Sequence, residues 1–172
     1  MVTTQSRKRR RAALKQLTAG DIMTASPKSL RPTATARSAE RFFRTHGIPS
    51  APVTDNAGRL IGIVSEADLF DLWGRPDRLV DAICNKTRAG IYQDRYFRCA
   101  DLVVKQVMNS DVFLVPVDAS ISKVIETFVT RETRRLFVID QEDVLVGEIR
   151  IFDLLRTIGE HVNPRRFSRR RP

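Results

Sequence analysis

The sequence predicts an α+β fold in which one β-α-β-β-α unit is used twice, and three observations carry that expectation. The chain repeats itself: at an offset of 85 residues Met23 matches Met108, Val53 matches Val138, Asp55 matches Asp140, Leu60 matches Leu145, Gly62 matches Gly147, Asp68 matches Asp153 and Leu69 matches Leu154. Identities held at one offset mark an internal duplication. Within each copy, short apolar runs alternate with stretches of helical spacing. The junction Gly62-Ile63-Val64-Ser65-Glu66-Ala67-Asp68-Leu69 also returns as Gly147-Glu148-Ile149-Arg150-Ile151-Phe152-Asp153-Leu154. Each stretch reads as a buried strand turning directly into a helix with a carboxylate in its first turn. Ser65 falls where a helix N-cap sits, and the unpaired N–H groups it opens onto suit either a capping side chain or an anion.

In chain order, residues 1–16 form a basic N-terminal arm, helical from about Arg10 to Leu17 but without a core-facing stripe. The first repeat spans 17–75: a capped turn from Thr18 to Met23 and a short strand near Lys28 to Leu30. A helix follows, with Ala36, Ala39 and Phe43 on one face. Strands Ser50–Thr54 and Leu60–Ser65 follow, joined by the turn-formers Asp55-Asn56-Ala57-Gly58, and a closing helix runs from Glu66 to about Trp73. The inter-repeat linker, 76–99, holds a helix from Pro76 to Lys86 and a basic-aromatic run, Ile91 to Arg98, expected to pack onto the core. The second repeat, 100–160, has Ile121, Val124, Ile125 and Phe128 at helical spacing. Strands Leu136–Ile139 and Leu145–Arg150 and a helix from Ile151 to about Gly159 complete it. Pro32 and Pro116 are offset by 84, so one residue is expected to slip in that loop. A basic C-terminal tail, 161–172, ends the chain.

Composition narrows the classes. A chain of 172 residues with 42% hydrophobic residues can bury a sizeable core. No apolar run approaches a membrane span and no apolar stretch follows the N-terminal charges, so a soluble cytoplasmic protein without membrane contact is expected. Cys84, Cys99, His46 and His161 are too few and too scattered for a metal site or a disulfide framework; buried or half-buried free thiols are expected. The net charge of +10 resides in the arms: 11 of 30 basic residues lie in 1–16 and 161–172, leaving 19 against 20 acidic residues between them. The arms are solvated tails or patches for nucleic acid, acidic protein or anionic lipid.

The repeat resembles the CBS domain, the module named after cystathionine β-synthase, and two in tandem resemble a CBS pair or Bateman module packed as a pseudo-twofold pair. Asp21-Ile22-Met23-Thr24, Gly47 to Asp55 and Gly62 to Leu69 carry the resemblance in the first copy. In the second it rests on Gln106-Val107-Met108-Asn109, Arg134 to Asp140 and Gly147 to Leu154.

The resemblance implies a regulatory sensor that binds AMP, ADP, ATP or S-adenosylmethionine in clefts between the repeats, with an adenine nucleotide as regulatory ligand and no catalytic cofactor. No enzyme is expected: the chain has no nucleophile–histidine constellation and no Walker-type loop. In one implied cleft Asp153 holds ribose hydroxyls, Met23, Lys28, Ile48 and Pro49 line base and sugar, and Arg134, Arg135 and Arg150 face the phosphates. Arg150 departs from the family, where Ser or Thr is usual. The other cleft keeps Ser65 and Asp68, with Met108, Phe113, Thr133 and Arg134 as walls and Pro49 and Ser50 at the phosphate end. Three arginines in one cleft imply affinity rising from adenosine through AMP to ADP or ATP. A homodimer signalling to an unknown effector protein is the first function class. A dimeric scaffold whose basic arms contact nucleic acid or another polyanion is the second.

Overall fold

A computed structural model of the chain describes residues 4–73 and 101–162. The expected linker helix from Pro76, the run Ile91 to Arg98, both cysteines and the tail from residue 163 lie outside the described residues. In order the elements are α1 (Thr4–Gln16), α2 (Ala19–Ile22), β1 (Thr24–Ala25), α3 (Ala36–His46), β2 (Ser50–Thr54), β3 (Leu60–Ser65) and α4 (Glu66–Trp73). After a 3₁₀ turn (Val104–Gln106) come β4 (Leu114–Pro116), α5 (Ile121–Thr130), β5 (Arg135–Ile139), β6 (Leu145–Arg150) and α6 (Ile151–Val162). The fold is α+β.

The chain forms two compact units whose limits differ from those of the sequence repeats. A discontinuous unit comprises Met1–Pro27 and Phe113–Pro172, and a continuous unit comprises Lys28–Val112. The segment that opens each repeat thus packs in the unit built around the other repeat's hairpin.

In the discontinuous unit the sheet order is β1-β6-β5-β4, with β5 and β6 antiparallel and β4 parallel to β5. Leu136, Val138 and Ile149 point to one face of the hairpin and join Ile22, Val124, Phe128 and Leu154 in the core. Ser120 caps α5, accepting from the Lys123 N–H at 3.3 Å. That cap lets the apolar stripe Ile121, Val124 and Phe128 start at the first helical residue. α1 lies against α6 and α5, and its Leu14 packs on this core together with Leu17. The arm is therefore helical six residues earlier than its sequence suggests, since one docked leucine replaces the apolar stripe expected of a packed helix.

The continuous unit repeats this plan. β2 and β3 pair antiparallel, Leu30 bridges Val53 in parallel, and Asn109 bridges Ile63 antiparallel. Adding 85 to Leu30 and Val53 gives Val115 and Val138, which pair in β4 and β5. The short strand expected near Lys28 to Leu30 is reduced to that single bridge, while β1 forms at Thr24–Ala25. The slip expected between Pro32 and Pro116 does not occur. Pro32 O accepts from Lys105 N at 3.0 Å and Val117 O accepts from Gly20 N at 2.8 Å, so the offset of 85 runs through the loop. Thr35 caps α3, accepting from Ser38 N at 3.2 Å, and Ala36, Ala39 and Phe43 face the core with Val53, Val64 and Leu69. Burying Phe43 contributes about 1.5–3 kcal/mol.

The two hairpin turns have the same chemistry. Asp55 Oδ1 accepts from the N–H groups of Ala57 and Arg59, each at 2.9 Å, and Asp140 Oδ1 accepts from those of Glu142 and Val144 at 3.0 and 2.9 Å. Such aspartates fold the chain back on itself and bring the far ends of the paired strands together. That far end carries the expected site residues.

Candidate functional site

In the discontinuous unit, β5 begins where β6 ends, with Arg135 opposite Arg150 and Phe137 opposite Glu148. Opposed residues share a face, so these four side chains lie on the side of the hairpin away from the Leu136–Ile149 core. Glu148 is 5% exposed. Its Oε1 accepts from Arg150 Nη2 at 2.6 Å and Nε at 3.0 Å, and its Oε2 lies 3.6 Å from Arg135 Nε. A buried carboxylate is tolerated only when paired, and here two guanidiniums pair it.

Burial holds the Arg135 guanidinium below its ordinary pKa, with Glu148 pulling it back up and Arg150 pushing it further down. Its Nη1 is buried and has no hydrogen-bond partner among the described residues. The Thr133 hydroxyl fixes the turn into β5, donating to Arg135 O at 3.0 Å. Arg134 is exposed, and its carbonyl accepts the Ile151 N–H at 3.1 Å, anchoring the start of α6 beside the start of β5.

Asp153 sits in the first turn of α6, its Oδ1 3.1 Å from Arg156 Nη2. Phe113 lies under the Arg131 guanidinium, 5.6 Å from ring centroid to Cζ. Met23 packs across Gly147, so close that no β-carbon fits there. Arg134, Arg135, Arg150 and Asp153 thus gather at one end of the β5–β6 hairpin.

The continuous unit gathers the equivalent set. Pro49 O accepts the Glu66 N–H at 2.9 Å, the counterpart of the Arg134–Ile151 bond, and Ser50 opposes Ser65. Asp68 Oδ2 accepts from Ser65 N at 2.6 Å and Ser65 Oγ at 2.7 Å, while Asp68 N–H donates back to Ser65 Oγ at 3.3 Å. That reciprocal cap uses the carboxylate to start α4. Arg150 replaces Ser65 in the other copy and cannot cap this way, so among the described residues the Asp153 carboxylate accepts only from Arg156. Ile48 packs beside the core, Lys28 Nζ lies 2.8 Å from His46 Nδ1, and Met108 packs across Gly62.

Glu148 is the residue at this end of the hairpin that sequence reasoning missed. Its position two residues before Arg150 in a strand was the available sign, since such neighbours share a face. Among the described residues no group of three or more His, Cys, Asp or Glu side chains is placed to hold a metal ion, and no helix is long and apolar enough to cross a membrane.

The family model of the CBS domain matches residues 19–74 and 104–160. In sequence the chain is similar to inosine-5'-monophosphate dehydrogenase of Methanocaldococcus jannaschii, 28% identical over 136 residues. That match covers 79% of this chain but only 21% of the enzyme's length. In structure the chain is similar to a CBS domain-containing protein of unknown function from Bacillus anthracis, with TM-score 0.71 and 17% identity over 87% of this chain and 98% of that one. It is also similar to CBSX2 in complex with AMP, with TM-score 0.61 and 21% identity over 82% of this chain and 95% of that one.

Proposed function

The chain belongs to the CBS domain family, as a tandem pair, and from that premise we propose that it is a regulatory module whose ligand is an adenosyl monophosphate rather than a triphosphate or S-adenosylmethionine. The observation that carries this reading is the buried, unpartnered Nη1 of Arg135. A buried guanidinium N–H needs an acceptor, and a phosphate oxygen supplies a charge-assisted one. Arg134, Arg135 and Arg150, with Arg156 paired to Asp153, stand against two carboxylates, Glu148 and Asp153, and leave two positive charges at this end of the hairpin, matching a terminal phosphate of about −2. Glu148 thereby removes the reason for affinity to keep rising from AMP to ATP. The sulfonium of S-adenosylmethionine finds no compensation among three guanidiniums. Asp153, not committed to capping its own helix, takes the ribose hydroxyls, with Met23 of the same unit toward the base. In the continuous unit Ser65, Asp68 and Met108 offer a second, weaker nucleoside site. Ligand occupancy is signalled to an effector protein by a homodimer, for which α6 offers the exposed Phe152 and Leu155.

Titration calorimetry with adenosine, AMP, ATP and S-adenosylmethionine tests the reading on wild type, Arg135→Ala and Asp153→Ala. AMP should bind about tenfold or more tightly than adenosine, a difference of about 1.4 kcal/mol. Arg135→Ala should abolish that difference, and Asp153→Ala should weaken both ligands. Equal loss of adenosine and AMP in Arg135→Ala, or preferential binding of S-adenosylmethionine, refutes it.

A further inference from the structure

Phe137 is buried, yet it belongs to neither of the two hydrophobic cores. It lies in the middle of β5, paired with Leu114 of β4 on one side and Glu148 of β6 on the other, and its N–H donates to Phe113 O at 2.9 Å. Strands on both sides fix its backbone. Its ring shares a face with Arg135, Glu148 and Arg150. The Arg135 Cζ stands over that ring, 5.9 Å from the centroid. This is within the distance, about 6 Å, at which the negative face of a ring attracts a guanidinium, and the attraction is strongest where water is excluded. The Arg135 side chain is 16% exposed. Its guanidinium is thus held from two directions, by Glu148 Oε2 at 3.6 Å from Nε and by the Phe137 ring under Cζ. Neither gives Nη1 an acceptor.

The duplication supplies an internal control. Subtracting 85 from Arg135, Phe137, Glu148 and Arg150 gives Ser50, Pro52, Ile63 and Ser65, none of them charged or aromatic. Ser50 opposes Ser65, Pro52 opposes Ile63, and the register shift after Val53 matches the one after Val138. The hairpin takes the same register with these four residues or without them. What they add is the placement of one buried guanidinium with a free N–H. Arginine is rich in rotamers, and a buried N–H without a partner drives the side chain to turn toward water or another oxygen. The Phe137 ring opposes that turn, because it attracts the cation while offering no oxygen to bond.

We propose that Phe137 is a positioning residue for phosphate recognition: its ring holds the Arg135 guanidinium with Nη1 free to meet a phosphate oxygen, and so sets the preference for a phosphorylated ligand over the bare nucleoside. Resting on the nucleotide-sensing reading above, this role adds the residue on which that preference depends. A guanidinium that wanders is competent to bind only part of the time, and apparent affinity falls by that fraction.

The test is titration calorimetry of the full chain with adenosine and AMP. It compares wild type, Phe137→Leu, and chains whose phenylalanine at position 137 carries one, two or three ring fluorines. Fluorine draws charge from the ring face and weakens its pull on a cation while nearly preserving the ring's shape. The preference for AMP over adenosine should fall stepwise with each fluorine. In Phe137→Leu it should fall by about fivefold, or about 1 kcal/mol, with adenosine affinity unchanged. Should Phe137→Leu fail to fold, the fluorinated chains decide alone. A wild type that binds AMP no better than adenosine overturns the phosphate reading and the role of Phe137 with it. A wild type that prefers AMP, with the same preference in every fluorinated chain, leaves the phosphate reading standing and overturns the role of Phe137. Equal loss of both ligands overturns that role too, since a ring that only supports the fold acts on both alike.

Discussion

Met108 lies directly across Gly62: a β-carbon on Gly62 would come 2.7 Å from the Met108 Sδ and 2.9 Å from the backbone oxygen of Asn109. Met23 stands in the same relation to Gly147, but there the nearest obstacles all belong to the Met23 side chain.

Alanine at the two glycines should therefore have unequal effects. Gly62→Ala must displace the backbone of Asn109, whose N–H and C=O both bond to Ile63, and should cost about 3 kcal/mol. Gly147→Ala meets only the Met23 side chain, whose Sδ and Cγ can turn away while its Cβ, 3.0 Å off, must shift, and should cost about 2 kcal/mol. Urea unfolding of both variants checks the order; equal losses would show that the backbone contact is not the limiting one.

Glu148→Gln should separate stability from binding. It removes the negative charge that holds Arg135 and Arg150, and because Arg150 is half exposed the loss should be about 2 kcal/mol, below that for a fully buried pair. The freed guanidiniums should bind AMP more tightly, and ATP more so. A variant that loses stability and AMP affinity together would mean that Glu148 acts only by ordering the arginines.

Asp68→Ala and Asp153→Ala should report different jobs. Asp68 caps α4 through Ser65, so its loss should cost about 1 kcal/mol of stability. Asp153 holds only an exposed ion pair to Arg156, worth about 0–1 kcal/mol, and its substitution should lower AMP affinity with little change in melting temperature. Paired thermal melts and calorimetry decide; larger ligand loss in Asp68→Ala reverses the assignment.

Acid sensitivity should be traceable to Asp55. Its bond from the Arg59 N–H, the chief cause, together with those from the Arg59 side chain and the Ala57 N–H, holds its carboxyl below the ordinary 3.8. A depressed folded-state pKa gives stability that is present above 3.8 and lost as pH falls through the lower folded value. Asp55→Asn keeps an acceptor but does not titrate. The stability gap between wild type and variant should be open at neutral pH and close in acid, as followed by urea unfolding at stepped pH.

Glu132 occupies, one residue beyond the first after α5, the position that Gly47 holds after α3: their φ values are 48° and 61°. A side chain in that left-handed region costs about 1–2 kcal/mol, of which glycine would recover part. Glu132→Gly should raise the melting temperature by about 2 °C. A lowered value would mean that the glutamate side chain compensates its own strain.

Strands β2, β3 and β6 and helix α4 end where the sequence says they should, because strand alternation, turn aspartates and the Ser65 cap are local signals. The exchange of opening segments was not legible. When two repeats carry the same pattern, no local preference distinguishes Thr24 pairing with Glu148 from pairing within its own copy. The gathering of Arg134, Arg135, Arg150 and Asp153 at one hairpin end was implied by the resemblance to the CBS domain. Their electrostatics were not, since a lone glutamate in a strand reads as an outward residue until its cross-strand partners are known.

The division of the chain also orders its birth on the ribosome. The continuous unit, Lys28–Val112, has all its residues once position 112 has emerged, whereas the discontinuous unit needs both ends of the chain. At about 5–20 residues per second, the first 27 residues wait several seconds for β6 and α6 to be made. Throughout that interval β1 has no strand to pair with and Leu14 has no core to cover it, while the basic run of α1 is already outside the tunnel. The most highly charged part of the protein is thus presented to the cell before the surface on which it docks exists.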